Sequence, residues 1–247
     1  MNWFTLWTHM PAKMLEKHLA LLQSISLFEG LTGEQLATVG ALAKVQHYPA
    51  RAVVVSQGEP ADALFAIIRG RLKVASSGPD GRDTVLGIMA EGEVFGEVAL
   101  LDGGTRSATC TAIEPCELLT IDRVPFMELL EQSPGIAVKL LHVLSRRLRR
   151  LSQRSEDAAF LDVPSRLARS LLDLATRFGE RPRAPDSGVY IALKLSQQEL
   201  GDLVGATRES VNKHLKDWAR KGLLKLDGGR MTISDIEGVR RIARIDE

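Results

Sequence analysis

Residues 95–108, F-G-E-V-A-L-L-D-G-G-T-R-S-A, combine residue types that can bind an anion. Gly96 permits a close approach to the backbone. Residues 97–101 predict one short helical turn, and the N-terminus of such a turn presents free N–H groups and a partial positive charge. Arg106 supplies a planar cation that matches phosphate geometry, and Ser107 supplies a hydroxyl. One interpretation of these residues is a phosphate site.

Glu97 is the unexpected member of this set, because a carboxylate beside a phosphate repels it. It fits if it accepts a hydrogen bond from a sugar hydroxyl, or if it orients Arg106. The other interpretation of the stretch is a β-turn with a Glu97–Arg106 surface salt bridge, a common and weak feature. The residues alone leave the two interpretations equally open.

A second informative set lies on two short helices predicted near the end of the chain. Ser196 and Glu199 have the spacing of a capping box, Gly205 marks a turn, and Thr207 caps the next helix. Three apolar residues of that helix are spaced to face inward: Val211, Leu215 and Trp218. This order is typical of a helix-turn-helix, whose second helix enters the major groove of DNA.

The outward face of the second helix carries side chains that can read base edges. These are Arg208, Glu209, Asn212, Lys213 and Lys216. Arginine and lysine can read guanine, glutamate can accept from cytosine, and asparagine can pair with adenine. The alternative is an ordinary helical hairpin with a solvated charged face. The caps, the glycine turn and the charges favour DNA binding, and a hairpin signal over residues 223–233 adds a wing.

The anion-binding stretch interrupts a series of short predicted strands. Residues 12–43 predict helices, with Thr32 as an N-cap. From Val45 onward, β-branched runs alternate with Gly, Pro and Asp turns. The predicted strands are residues 53–55, 64–68, 72–74, 84–88, 108–113 and 117–121. Such a pattern predicts a small β-sandwich or barrel, which can hold one small ligand.

One long helix is predicted between these two regions, over residues 134–160. Its seam residues alternate at spacings of four and three: Ala137, Leu141, Leu144, Leu148, Leu151, Ser155 and Ala158. This heptad pattern favours a parallel dimer, in which the stripe meets an identical stripe on a second chain. The alternative is an amphipathic helix lying on its own domain. A new apolar face after Pro164 predicts a further helix and puts a hinge at residues 161–163.

The charge distribution divides the chain into an acidic front and a basic back. Residues 1–134 carry a net charge of −6, residues 135–163 carry +3, and residues 164–247 carry +4. Only the back is therefore expected to meet a polyanion. No run approaches the roughly 20 apolar residues of a membrane span. The first residues lack the basic stretch of a secretion signal, so the chain is expected in the cytoplasm.

The sequence contains no catalytic motif of the kinds that short patterns identify. It has no G-x-S-x-G elbow, no H-E-x-x-H and no P-loop. An enzyme that used Glu97 and Arg106 to cleave a phosphodiester would need a metal cluster or a poised base, and the sequence offers neither beside them. The two cysteines, Cys110 and Cys116, are too few for a disulfide framework or a cysteine-held cluster. We expect a binding protein rather than an enzyme, without a metal.

Together these features resemble the Crp/Fnr family of transcription regulators over residues 25–240. The most specific segments are residues 95–108, which resemble the phosphate-binding cassette of cyclic-nucleotide-binding domains, A-F-L-D-V after the long helix, and L-S-Q-Q-E-L-G-D-L-V-G-A-T-R-E-S-V-N-K. The resemblance implies an α+β fold with a cyclic-nucleotide-binding β-roll (a double-stranded β-helix), a long dimerisation helix and a winged helix-turn-helix. The expected boundaries are residues 1–24 for a lead-in helix, 25–133 for the β-roll, 134–163 for the long helix and hinge, and 164–247 for the DNA-binding domain.

The resemblance also implies a cyclic nucleotide effector, with cyclic AMP as first choice. Gly96 and nearby N–H groups would hold the cyclic phosphate, Arg106 would neutralise it with help from Ser107, and Glu97 would take the ribose 2′-hydroxyl. The expected ligand-binding residues are Phe95, Gly96, Glu97, Val98, Ala99, Arg106, Ser107, Arg147, Leu151 and Ser152. Leu151 replaces a hydroxyl residue that meets the adenine in the family's cyclic-AMP receptor. Cyclic GMP, a cyclic dinucleotide or a ligand-independent regulator therefore stay open.

The implied partners are a twofold-symmetric operator, a second copy of the chain bound through residues 134–160, and RNA polymerase, with no membrane. The expected DNA-binding residues are Ser196, Gln197, Thr207, Arg208, Glu209, Ser210, Asn212, Lys213 and Lys216. Lys213 stands where the family's cyclic-AMP receptor has arginine, so the operator of that protein cannot be copied.

Other sensors of the family require residues that this chain lacks or uses differently. Its redox branch holds an iron–sulfur cluster with N-terminal cysteines, and this chain has none there. A haem sensor needs an axial ligand, and His47 and His142 are interpreted as a surface and a helix-face residue. The resemblance therefore implies neither haem nor an iron–sulfur cluster. A cyclic-nucleotide-binding subunit of a kinase or channel is disfavoured by the basic helix-turn-helix.

Overall fold

The computed structural model describes residues 20–79, 83–180 and 188–244. The chain forms two compact units, Met1–Arg149 and Arg150–Glu247. Residues 20–23 are helical, and the rest of the predicted lead-in helix lies almost entirely outside the described residues. Most of the loop predicted for residues 179–188 lies outside them as well.

The first unit opens with helix α1, Gly33–Leu42, which begins at a capping box. The Thr32 hydroxyl accepts from the backbone N–H of Gln35 at 3.3 Å, and the Gln35 side chain accepts from the N–H of Thr32 at 2.9 Å. These two bonds satisfy donors that a helix start otherwise leaves without partners. The predicted cap at Thr32 is confirmed.

Eight strands follow in the described part of this unit: β1 (Ala43–Tyr48), β2 (Val53–Val55), β3 (Ala63–Arg69), β4 (Leu72–Ser77), β5 (Asp83–Met89), β6 (Val94–Phe95), β7 (Thr109–Ala112) and β8 (Cys116–Asp122). They form two antiparallel sheets, in the orders β1-β8-β3-β6 and β2-β7-β4-β5. The predicted all-β region is confirmed. The two-residue strand β6 is too short to show an alternating pattern, and the sequence does not predict it.

Helices cover one side of this β-region and share its core. Helix α2 (Glu97–Asp102) lies between β6 and β7, and helix α3 (Arg123–Gln132) follows β8. Leu100, Phe126 and Leu129 are buried in one hydrophobic cluster with residues of β3 and β8. Burying each such side chain stabilises the unit by about 1.5–3 kcal/mol. Helix α3 was not predicted from the sequence.

Helix α4, Pro134–Phe160, has the bounds that the sequence predicts. Its first half also carries a second apolar face that the heptad pattern does not predict, because Ile136, Leu140 and Val143 are buried in the core of the first unit. The seam residues Leu141 and Leu148 point away from that core and are 61% and 67% exposed. The helix therefore has one face that packs on its own unit and one face that is bare in the single chain.

In the second unit, Leu161 and Asp162 separate α4 from helix α5, Val163–Phe178. The Asp162 carboxylate accepts from the N–H of Ser165 at 3.0 Å, and Pro164 lies in the first turn as predicted. The predicted inward residues of α5 are buried: Leu167, Leu171 and Leu174.

The rest of the second unit is a winged helix-turn-helix. Helices α6 (Gln197–Val204) and α7 (Arg208–Arg220) are followed by strands β11 (Leu224–Asp227) and β12 (Arg230–Ile233) and helix α8 (Ile236–Ala243). The sheet order is β11-β12-β10-β9, with β9 at Gly179–Glu180 and β10 at Val189–Ile191. Gly228 and Gly229 form the hairpin turn with φ of 54° and 86°, values that favour glycine.

Candidate ligand site and nucleic-acid interface

Gly96 links β6 to α2 and has a left-handed backbone, with φ of 85°. A Cβ atom at this position would lie 2.5 Å from Nη1 of Arg106 and 3.2 Å from the carbonyl oxygen of Ala63. Glycine is therefore required for its conformation and for space. The sequence predicts a close approach at Gly96, and the group that approaches it is the guanidinium of Arg106.

Arg106 is 4% exposed, and three acceptors hold its guanidinium. Nη1 donates to the carbonyl oxygen of Gly96 at 3.1 Å, and Nη2 donates to the carbonyl oxygen of Ala63 at 2.9 Å and to Oδ1 of Asp62 at 3.2 Å. The guanidinium carbon lies 5.5 Å from the centre of the Phe65 ring. A buried cation is stabilised only when its donors have partners, and this arrangement supplies them for Nη1 and Nη2.

Glu97 is 1% exposed and begins α2. Its Oε1 accepts from Nη1 of Arg147 on α4, and Nη2 of the same arginine donates to the carbonyl oxygen of Val94. Its Oε2 is buried and has no hydrogen-bond partner. A buried oxygen without a partner is costly, by about 1–3 kcal/mol, so Oε2 is an acceptor suited to a ligand hydroxyl.

The other predicted ligand-binding residues have contrasting surroundings. Phe95 and Ala99 are buried, and Phe95 stacks on Phe65 with ring centres 5.0 Å apart. Val98 and Ser107 are exposed. Leu151 and Ser152 are exposed residues of the second unit. Among the predicted residues, Arg106 therefore contacts Gly96, and Arg147 contacts Glu97. Asp62 and Ala63 also contact Arg106, and the sequence does not indicate either of them.

The charged groups of this site also act on Cys110 of β7. Burial raises the pKa of the Cys110 thiol from 9.0 to about 12, while the cations Arg106 and Arg147 oppose the shift. Cys110 and Cys116 are both buried free thiols. Nucleophilic chemistry requires the thiolate, and burial therefore disfavours such chemistry at Cys110.

The helix-turn-helix is fixed by its caps and by a tight turn. Ser196 and Glu199 form the predicted capping box, and the Thr207 hydroxyl accepts from the N–H of Ser210 at 3.2 Å. A Cβ atom on Gly201 would lie 2.6 Å from the carbonyl oxygen of Ala206, so helix α6 and the backbone of the following turn approach this closely only with glycine there. Gly201 is a residue that the sequence pattern does not single out.

Helix α7 buries one face and presents the other to solvent. Its buried residues are those predicted: Val211, Leu215 and Trp218. Its exposed residues include four predicted DNA contacts: Arg208, Glu209, Lys213 and Lys216. Asn212 is half-buried and accepts a 3.2 Å hydrogen bond from the side chain of Gln197 on α6, which links the two helices. Three of these four residues, Arg208, Lys213 and Lys216, are cations that can meet phosphates and bases.

Within residues 20–79, 83–180 and 188–244, no group of three or more His, Cys, Asp or Glu is placed to hold a metal ion. None of the helices in those ranges is long and apolar enough to cross a membrane.

Comparison with known proteins assigns both regions to families. Residues 45–133 match the cyclic nucleotide-binding domain family, and residues 165–242 match the Crp-like helix-turn-helix domain family. The CRP-like cAMP-activated global transcriptional regulator of Mycobacterium tuberculosis is 37% identical over 224 residues, which cover 91% of this chain and 99% of that relative. The cAMP-activated global transcriptional regulator of Pasteurella multocida is 33% identical over 190 residues, covering 76% of this chain and 89% of the relative.

A solved structure leads to the same fold. The c-di-GMP responsive global regulator CLP of Xanthomonas campestris is similar with a TM-score of 0.68 at 30% identity, over 82% of this chain and 99% of that one. A β-sheet domain of the cyclic nucleotide-binding family joined to a winged helix-turn-helix defines a DNA-binding transcription regulator. The chain belongs to the Crp/Fnr family of such regulators.

Proposed function

We propose that this protein is a homodimeric transcription regulator that binds cyclic AMP in its β-sheet unit and thereby binds its operator more tightly. The names of the M. tuberculosis and P. multocida relatives, both cAMP-activated, support cyclic AMP as the effector. Because the action proposed is on DNA, we place it in the cytoplasm, and RNA polymerase is the further partner that we propose.

The observation that carries the ligand proposal is the buried, unpartnered Oε2 of Glu97, next in the chain to Gly96, whose carbonyl oxygen holds the buried cation of Arg106. A ribose hydroxyl supplies the donor that Oε2 lacks, and a cyclic phosphate supplies an anion for the guanidinium. The N–H groups at the start of α2, with Ser107, add donors for the phosphate oxygens. Arg147 positions Glu97 through its hydrogen bond to Oε1.

Two exposed surfaces support the proposal of a dimer on DNA. The seam of α4 keeps Leu141 and Leu148 exposed in the single chain, and an identical seam would cover them. The exposed cations at the start of α7 suit a recognition helix in the major groove. The proposed base contacts are Arg208, Glu209 and Lys213, and the roles of Leu151 and Ser152 stay predictions.

The test is calorimetric titration of the purified protein with cyclic AMP, cyclic GMP and cyclic di-GMP in turn. We expect the tightest binding for cyclic AMP, and the Arg106→Gln variant to lose it. Tighter binding of cyclic di-GMP would indicate that the effector is cyclic di-GMP, to which the X. campestris relative responds. Absence of binding by all three would contradict ligand control altogether.

A further inference from the structure

We infer that Asp62 is a built-in competitor of the ligand's phosphate, held on Arg106 until the ligand displaces it, and that it sets the affinity of the site for cyclic nucleotides. The inference rests on the proposed function, since it concerns the same site. Nη2 of Arg106 donates a hydrogen bond of 3.2 Å to Oδ1 of Asp62.

The charges of the site form two pairs. Glu97 pairs with Arg147, and Arg106 pairs with Asp62. Arg106 is thus already neutralised by a carboxylate of the chain itself, and the two carbonyl groups that also accept from it, those of Gly96 and Ala63, are uncharged. A phosphate that binds this guanidinium adds a second anion to the same cation. Two anions close to one cation repel each other, so the phosphate and Asp62 compete.

The exposure of the two partners determines which of them gives way. The side chain of Arg106 is 3% exposed, whereas that of Asp62 is 89% exposed. The arginine stays in place because the carbonyl oxygens of Gly96 and Ala63 also hold it. The Asp62 carboxylate can turn into water, where it is well solvated, at the low cost typical of an exposed ion pair.

The backbone of Asp62 keeps the carboxylate close to the site after it has turned away. Its carbonyl oxygen accepts from the N–H of Arg123 at 2.7 Å, and the next residue begins β3. The competitor is therefore present at a fixed, high local concentration. Ligand affinity is the difference between the phosphate contact and the Asp62 contact, so the site responds at a higher ligand concentration than Arg106 alone would give.

The test compares Asp62→Asn with the unchanged protein in calorimetric titrations with cyclic AMP. The variant keeps the shape of the side chain and removes its charge, and we expect Kd to fall about two- to five-fold. The matched control is Glu59→Gln. Glu59 has an exposed side chain bonded to the N–H of Ser56, and its backbone carbonyl oxygen contacts the backbone N–H of Arg106. Removing that nearby charge should leave Kd unchanged.

Thermal unfolding gives an independent readout. Asp62 contacts Arg106 only in the ligand-free protein in this mechanism, so Asp62→Asn should lower Tm without ligand and leave Tm at saturating cyclic AMP unchanged. A residue with a purely structural role would lower both values equally, and that result overturns the inference. An unchanged or higher Kd in Asp62→Asn, or an equal fall in Glu59→Gln, overturns it as well while the proposed function stands. If the unchanged protein binds no cyclic nucleotide, the proposed function fails and the competition fails with it.

Discussion

Glu97 is the residue that should distinguish a ribose from a deoxyribose. Its Oε1 is bonded to Arg147, and its buried Oε2 lacks a partner. A hydrogen bond from a ligand hydroxyl to a charged group contributes about 1.5–3 kcal/mol. We therefore expect 2′-deoxy cyclic AMP to bind about ten-fold or more weakly than cyclic AMP, as measured by calorimetry.

The same pair of ligands tests whether Glu97 is the acceptor. In the Glu97→Gln variant, the amide also contacts the 2′-position but no longer carries a charge. The difference in affinity between the two ligands should shrink markedly. An equal difference in both proteins would assign the hydroxyl to another residue.

Cys110 gives a residue-level prediction for pH. Burial raises the pKa of its thiol to about 12, so between pH 9.0 and about 12 the folded protein keeps a proton that the unfolded chain releases. The stability that this proton linkage provides is complete below pH 9.0 and is lost as the pH rises through that window. Urea unfolding at about pH 8 and about pH 10 should show the unchanged protein losing about 1 kcal/mol more than Cys110→Val. An equal loss in both proteins would show that the thiol does not titrate differently on unfolding.

At the scale of elements, helix α4 has one face buried in the core of the first unit and a seam on another face. A clean test of the seam uses Leu141 and Leu148, because both are exposed, whereas Leu144 also packs on the core. Aspartate at both positions puts like charges face to face in the dimer, where desolvation is costly. We expect the double variant to sediment as a monomer and to lose operator binding.

The control for the seam is the double variant His142→Asp and Arg149→Asp, which changes the residue that follows each of the two leucines. Both residues are exposed, and the heptad places them outside the a and d positions. This control should remain dimeric. If both double variants sediment as dimers, the interface lies on another surface.

In the second unit, polar contacts of Arg169 join helices α4, α5 and α8. Asp157 of α4 forms an ion pair with Arg169 of α5 at 2.7 Å. Arg169 also donates to the carbonyl oxygens of Ala243 and Arg244, at the end of α8, at 2.9 Å and 3.1 Å. The side chain of Arg244 in turn lies 3.1 Å from Asp162. One arginine therefore joins the last turns of α4 and α8 to α5.

Replacing Arg169 by glutamine should destabilise the second unit by about 1–3 kcal/mol, because it removes the ion pair that Arg169 forms with the largely buried Asp157 carboxylate. Trp218 is buried in that unit and reports its unfolding in urea once Trp3 and Trp7 are changed to phenylalanine. The control is Arg240→Gln, whose ion pair with Glu237 is exposed and should contribute little. Equal effects of the two substitutions would contradict the role given to Arg169.

The sequence predicts the elements of this fold well where the signals are local. The caps at Thr32, Ser196 and Thr207 and the bounds of α4 depend on residues within one or two turns of each other. It does not predict the pairs of the ligand site, because Asp62 and Arg106 are 44 residues apart and Glu97 and Arg147 are 50 apart. Such pairs are set by the packing of sheets and helices, and local periodicity carries no information about them.

At the scale of the whole molecule, a ligand unit and a DNA-binding unit share one chain and one long helix. A ligand that binds the first unit can raise the DNA affinity of the second only if it prefers the DNA-competent state of the protein. A twofold dimer must also present its two recognition helices about 34 Å apart, one turn of the duplex. The proposed switch is therefore a change in the population of dimers that meet this spacing.

Ligand binding and operator binding must affect each other reciprocally. If cyclic AMP tightens operator binding by a given factor, the operator must tighten cyclic AMP binding by the same factor, with a coupling of about 1–3 kcal/mol. Both titrations must be made at one salt concentration, because phosphate contacts make DNA affinity depend on salt. The control is the monomeric Leu141 and Leu148 double variant, which should keep ligand binding in its first unit and lose the coupling. Equal DNA affinity with and without each cyclic nucleotide would mean that this regulator binds its operator constitutively.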